Sequence, residues 1–306
     1  MSTDPIGVVK RELLVRQLDS WTPAALHRSR RATFVQAYAG VDGGVADAAL
    51  RVFGEFADLL RGRRTTALTL GPDDPDLAAR HAAAQPELPA GLTAHLVPGG
   101  VDRLPVALRA ATANGAPVLA WVDATGGPGP AAEVLAAVAG GRPAELLLVL
   151  DPPVWSGTDY RHRLTGAGLP LVTEVELVAE AGAEVLVFGT AAGKRLDAFK
   201  NALWAVDEYA GVRYRDPGDP AGHLLDISLN PHPGPLRREL LARLGSVGAA
   251  TVTELRQFTA ERTVYRAADA SRVLTALLSA GLVRREPESG RLAGDVTITV
   301  APSLSP

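Results

Sequence analysis

Apolar positions along this chain fall into two alternating rhythms over its first half. Continuous apolar runs, ATFVQAYAG (32–40), TTALTL (65–70), LTAHLV (92–97), PVLAWVD (117–123) and ELLLVLD (145–151), predict strands covered on both faces. Stretches with helical spacing lie before and between them. Residues 9–29 carry Val9, Leu13, Leu14 and Leu18, and residues 45–62 carry Ala49, Val52, Phe53, Phe56 and Leu59. DLAARHAAA (76–84), RLPVALRAATA (103–113) and PAAEVLAAVAG (130–140) follow, the first of them opened by Asp74 as a cap and Pro75 in the first turn. Strands alternating with helices predict a parallel sheet with helices on both faces.

The rhythm breaks after residue 151. Residues 169–191 are two β-rich runs around the tight turn Glu180–Ala183, which predicts an antiparallel hairpin. Five parallel repeats closed by a hairpin predict an α/β, class I methyltransferase-like Rossmann sheet of seven strands; an NAD-type domain would continue with a sixth parallel strand. The boundaries that follow are an N-terminal helical segment (1–30), the Rossmann domain (31–205), a linker rich in Pro, Gly and Asp (206–233) and a terminal domain (234–306). In that last part three short helices, the second opened by the capping box Thr251–Glu254, precede two strands around Pro287–Gly290. The pattern predicts a winged helix-turn-helix.

Composition narrows the chemistry. The chain has no cysteine, which excludes thiolate catalysis and cysteine-held metals, and its six histidines are scattered, so no metal site is expected. No apolar run reaches 18 residues and no signal-peptide core opens the chain. The expectation is a cytoplasmic protein without a membrane segment. Of 31 basic residues only Lys10, Lys194 and Lys200 are lysine. From Gly234 onward ten arginines stand against seven acidic residues, a basic tail on an acidic body. That asymmetry hints at an anionic partner.

Candidate residues cluster at the predicted carboxyl ends of the strands, where open α/β sheets hold ligands. The glycine-rich turn after the first strand, with Gly40, Gly43 and Gly44, suits a close approach by S-adenosylmethionine, whose carboxylate would face the following helix. Past strand two, Asp73 is the candidate for the ribose hydroxyls, while Asp74 is explained as a helix cap; past strand three, Asp102 could face the adenine amine. Asp123, ending strand four, is the candidate catalytic residue that would orient a methyl acceptor. VLDPPVW (149–155) looks like the Asp-Pro-Pro-aromatic signature of base methylation. It comes one strand too late, with Val154 in the aromatic position, and is read as the end of a strand. WAVDEYAGVRYRDP (204–217) fits an ion-paired hinge or, alternatively, a substrate-facing surface. In the winged domain Arg266, Arg272, Arg284, Arg285 and Arg291 are candidates for nucleic acid, with Asp269 among them on the exposed side of the third helix.

The stretches FVQAYAG, LAWVDATG, ALWAVDEYAGVRYRDP and the winged tail resemble the three-Cys-motif partner proteins. These are methyltransferase-like chains with a terminal winged helix, encoded beside proteins with a three-cysteine motif that look like radical-type S-adenosylmethionine enzymes. The resemblance implies a neighbour of that kind as partner. It implies S-adenosylmethionine contacts at Tyr38, Ala39 and Gly40, where the family pattern resembles Asp-x-Phe-Ala-Gly-Pro-Gly. Here Gln36 replaces the acid, Tyr38 the Phe, and Val41-Asp42 the Pro-Gly. At the fourth strand the family resembles Asp-Pro-Phe-Gly, of which Asp123 and Gly126 remain around Ala124 and Thr125. Three functions follow as expectations. The first is a methyltransferase-like protein acting on nucleic acid. The second is a catalytically inactive scaffold or DNA-binding regulator on the same fold. The third is a small-molecule methyltransferase of specialised metabolism.

Overall fold

A computed structural model of the 306-residue chain describes residues 4–38, 43–206 and 211–301. In chain order the first part comprises α1 (Pro5–Arg28), β1 (Arg31–Tyr38), α2 (Gly43–Glu55), α3 (Ala57–Leu60), β2 (Arg64–Gly71), α4 (Pro75–Ala84) and β3 (Leu92–Pro98). There follow α5 (Leu104–Ala110), β4 (Val118–Asp123), α6 (Ala132–Ala139), β5 (Ala144–Leu150), α7 (Pro152–Ser156) and α8 (Tyr160–Ala167). The hairpin is β6 (Leu171–Ala179) and β7 (Gly182–Thr190), after which come α9 (Gly193–Trp204), β8 (Arg213–Arg215) and β9 (Leu224–Asp226). The C-terminal unit holds α10 (Gly234–Val247), β10 (Ala249–Thr251), α11 (Val252–Arg262), α12 (Ala267–Ser279), β11 (Val283–Glu286) and β12 (Thr297–Val300).

The large sheet runs β3-β2-β1-β4-β5-β7-β6-β8-β9. Strands β1 to β5 are parallel, and β7 runs antiparallel between β5 and β6. Its first seven strands therefore have the order and directions of a class I methyltransferase sheet. The expected count of seven is corrected to nine, because the stretch read as a linker contributes β8 and β9. They cover the outer edge of β6 instead of leaving its backbone groups unpaired. In β8, Arg-Tyr-Arg, Tyr214 is fully buried while its neighbours reach sideways: Arg215 Nε lies 2.6 Å from Glu176 on β6, and Arg213 Nε lies 3.0 Å from Asp226 on β9. Two strands of three residues set among Pro and Gly are too short to show a period-two pattern.

Alternation along each strand divides the core into two layers. Phe34, Trp121, Leu147 and Phe188 face a layer closed by α1, α2 and α9; Val35, Ala120, Val122 and Leu148 face one closed by α5, α6 and α8. The first layer continues without a break into the C-terminal unit, where Leu236, Leu240, Val273, Leu277 and Ile298 belong to the same apolar cluster. That unit has a three-stranded antiparallel sheet, β10-β12-β11, and three helices. Among the described residues no helix is long and apolar enough to cross a membrane.

Candidate functional site

Parallel strands end together, so the loops after β1, β2, β3 and β4 share one edge. Tyr38 and Asp123, the last residues of β1 and β4, are register partners. The Tyr38 hydroxyl donates to Gln36 Oε1 at 2.7 Å, and Gln36 Nε2 donates to Thr69 Oγ1 at 2.8 Å. Gln36, where the resembling family has an acid, is thus a neutral bridge from β1 to β2. Ala39 and Gly40 lie outside the described residues, and Gly43 is the first residue of α2. Asp73 is exposed two residues past β2, while Asp74 caps α4 by accepting from the Asp76 amide at 3.0 Å. Asp102 is exposed in a turn after β3, with Arg103 Nε 3.7 Å away.

Asp123 is engaged on both oxygens. Oδ1 accepts from the Thr125 hydroxyl at 2.7 Å and the Thr125 amide at 3.2 Å. Oδ2 accepts from Lys10 Nζ at 2.8 Å, and the same ammonium lies 2.7 Å from Glu184 Oε2 on β7. Burial works against the charge on Lys10, but Asp123 and then Glu184 outweigh it and hold the amine above its ordinary range. Glu184 moves upward as well, because burial outweighs the attraction of Lys10. Lys10 was not among the residues expected here. Its signal was visible: it lies in the apolar stripe of α1, among Ile6, Val9, Leu13 and Leu14, where a cation needs a buried partner.

Gln17 interrupts the same stripe and meets a second carboxylate. Glu145, at the start of β5 and wholly buried, accepts from Gln17 Nε2 at 2.5 Å and from Arg195 Nε at 2.6 Å and Nη2 at 3.2 Å. This centre stands at the amino edge of the sheet, opposite Asp123.

Asp151-Pro152-Pro153 has a structural role. The prolines form the first turn of α7, where no amide is needed, so the segment read as a strand end also starts a helix. Asp151 Oδ2 accepts from the Gly126 amide at 2.7 Å and joins the loops after β4 and β5. Gly126 sits at φ +73°, the left-handed region that favours glycine. Trp155 stacks on Tyr160 with centroids 6.1 Å apart.

No family model and no curated protein matches this chain. Among solved structures it is similar to a variant of the 16S rRNA (adenine(1408)-N(1))-methyltransferase from Catenulisporales acidiphilia, at 20% identity over 57% of this chain and 91% of that one, TM-score 0.33. It is also similar to the precorrin-6y C5,15-methyltransferase from Geobacter metallireducens GS-15, at 15% identity over 56% and 86%, TM-score 0.33. A third is a SAM-dependent methyltransferase from Agrobacterium tumefaciens, at 11% identity over 58% and 62%, TM-score 0.38. At those scores it is the strand order, not the superposition, that defines the fold.

The segment read as an ion-paired hinge is, in its described residues, a packed joint. Trp204 is fully buried, donates its indole N–H to Val264 O at 3.1 Å, stacks on Tyr265 and meets Tyr214 edge-on. Lys200, one turn earlier, is buried and donates to Thr263 O; burial pushes its amine down to about 7. Asp216 accepts from the amides of Val264 at 2.8 Å and Gly218 at 2.9 Å. Asp207, Glu208 and Tyr209 lie outside the described residues.

The five arginines of the C-terminal unit differ in availability. Asp269, expected on the exposed side of α12, is instead 3% exposed and is bound by Arg266 Nε and Arg272 Nη2, each at 2.9 Å. Arg266 also donates to Leu229 O, and Arg272 to Asn230 Oδ1. Arg285 donates to the carbonyls of Pro287, Ser289, Gly290 and Arg291, closing the turn between β11 and β12. Arg284 and Arg291 are exposed, with no side-chain partner among the described residues.

Proposed function

We propose that this chain is an S-adenosylmethionine-binding protein of the methyltransferase fold whose C-terminal unit is a winged helix that contacts nucleic acid. One observation carries the reading: the order 3-2-1-4-5-7-6, in which the chain switches winding direction between β1 and β4. Ligands of open α/β sheets sit outside the carboxyl ends at such a switch.

The residues along that edge suit an adenosyl group in kind. Asp73 and Asp102 are exposed carboxylates able to accept from hydroxyl and amino groups, and α2 begins beside the end of β1. Bound S-adenosylmethionine would supply a methyl group on a sulfonium. The chain's own part is positional: Asp73 holds the ribose, Asp102 the base, Tyr38 walls the crevice, and Asp123 orients the acceptor. A base acceptor would have to be flipped or single-stranded. The helix and strand order of the C-terminal unit supports the winged-helix part, with α12 towards the groove and Arg284 and Arg291 towards phosphates. A neighbour bearing a three-cysteine motif belongs to the same proposal.

The Lys10–Asp123 pair favours a second reading, a non-catalytic scaffold or regulator. An acceptor amine must displace Lys10 before Asp123 can receive it. Calorimetric titration with S-adenosylmethionine and its demethylated product, followed by a methyl-transfer assay on single-stranded nucleic acid, tests both. Binding with transfer supports the enzyme, and binding without transfer the scaffold. No heat from folded protein at high micromolar concentration defeats the cofactor proposal.

A further inference from the structure

At the amino edge of the sheet, a cavity of about 390 Å³ opens between the end of α1, the start of β5 and the first turn of α9. It lies across the sheet from the proposed adenosyl crevice and does not depend on it. Trp21, Ala25 and Pro143 form its apolar wall, and Arg28, Lys194, Arg195 and Glu145 its charged part. Arg195 and Glu145 satisfy each other, leaving Arg28 and Lys194 exposed at the mouth with no partner among the described residues.

The remaining unpaired groups on the wall are hydrogen-bond donors. Ala192 precedes α9 and cannot cap it, and the amides of Gly193 and Lys194 find no acceptor among the described residues. Independently, Trp21 is 1% exposed and its indole N–H is buried without an acceptor. A buried indole N–H ordinarily finds one, as Trp204 does, and leaving it unmet costs about 1–3 kcal/mol. Unmet donors, two free cations and an uncapped helix start favour a group with several anionic oxygens. The volume is near the lower end of small-molecule sites, which run from about 300 to 1,000 Å³. It suits a single ring or short chain, not a dinucleotide.

We propose that this cavity binds a small organic phosphate, its oxygens on the first-turn amides of α9, Arg28 and Lys194, and its apolar body against Trp21 and Pro143. A phosphate offers three oxygens to this set of donors, whereas a carboxylate offers two.

The test is a titration of the full ¹⁵N-labelled chain with phenyl phosphate, inorganic phosphate and benzoate, following the indole N–H of Trp21, assigned with Trp21→Phe. Phenyl phosphate should move that resonance to saturation while the Trp204 indole stays in place, and should bind about tenfold tighter than either other probe. Arg28→Ala with Lys194→Ala should weaken it about tenfold or more without lowering the melting temperature, since both side chains are exposed. An unmoved Trp21 resonance at millimolar phenyl phosphate overturns the site. Undiminished affinity in the double variant overturns the role of the two cations. Equal or tighter binding of benzoate or inorganic phosphate overturns the ligand class.

Discussion

Lys10, on the N-terminal helix, pairs with Asp123 at the end of the fourth strand, Nζ to Oδ2 at 2.8 Å, and the same ammonium neutralises Glu184. One lysine therefore holds two carboxylates that would otherwise repel each other in a mostly buried place. Lys10→Met keeps the stem and removes the charge, and should cost about 3 kcal/mol in urea unfolding at pH 7. The cost should depend on pH. Burial already raises Glu184 above its ordinary 4.5, and losing Lys10 raises it further. A group whose folded value exceeds its unfolded value stabilises below the latter and loses that contribution as pH rises through the former. The deficit of the variant should therefore be smaller at pH 4.5 than at pH 8, and adding Glu184→Gln should recover part of it. A deficit independent of pH would contradict this account.

Arg195→Met tests the centre at the opposite edge. Glu145 has no exposure and would keep only Gln17. The single change should cost about 3–5 kcal/mol, because it strands a buried carboxylate. Combining it with Glu145→Met should cost less than the sum of the two single changes by about 1 kcal/mol or more, read from denaturation midpoints at constant m. Strict additivity would mean that the two groups do not act as a pair.

Glu239, on α10, carries the clearest pH signature. Burial, with Asp216 and Asp219 adding to it, holds its carboxyl up to about 8, against the pull of Lys200 and Arg238. The folded protein therefore keeps a proton there that the unfolded chain releases near 4.5, so this group's stabilisation is full below that value and is lost as pH rises towards 8. Lys200 has the opposite sense: its folded value is depressed to about 7, so its cost is present at low pH and is relieved between there and its ordinary 10.5. Glu239→Gln isolates the first effect. The variant should match the wild type near pH 5 and exceed it in urea midpoint at pH 9. Parity at pH 9 would show that the carboxyl ionises without strain.

The five parallel strands were legible because both their faces are buried, which makes each a continuous apolar run. The capping box was legible too: Thr251 Oγ1 accepts from the Glu254 amide at 3.2 Å, and the Glu254 carboxylate accepts from the Thr251 amide at 2.7 Å. Helix α8 was not, since only Tyr160 and Leu164 of its eight residues are buried and no stripe forms. Strands β8 and β9 were hidden by their length and by the turn residues around them. Asp269 was misplaced because a carboxylate on a helix is ordinarily solvated, whereas here Arg266 and Arg272 accompany it inward. At the candidate site the sequence marked Asp123 but not its partner. A contact across 113 positions leaves no local pattern beyond a lysine in an apolar stripe.

The C-terminal arginines offer a prediction in which neighbouring residues part company. Arg284 and Arg291 project from the β11–β12 ribbon without side-chain partners among the described residues, whereas Arg285 between them binds four carbonyls of the turn. If the unit meets phosphates, Arg284→Ala with Arg291→Ala should weaken duplex binding and reduce the slope of log K against log salt by about 2, one counterion for each lost contact. The stability of the chain should not change. Arg285→Ala should do the reverse. It frees the carbonyls of residues 287, 289, 290 and 291, speeds amide exchange within that turn and costs about 1 kcal/mol or less, because the bonds it loses are exposed to water. Its salt slope should stay near that of the wild type, since a guanidinium already shared among four carbonyls has few donors left for a phosphate. A salt slope that falls equally for Arg285→Ala would place this guanidinium on the nucleic acid and remove the distinction drawn from the turn.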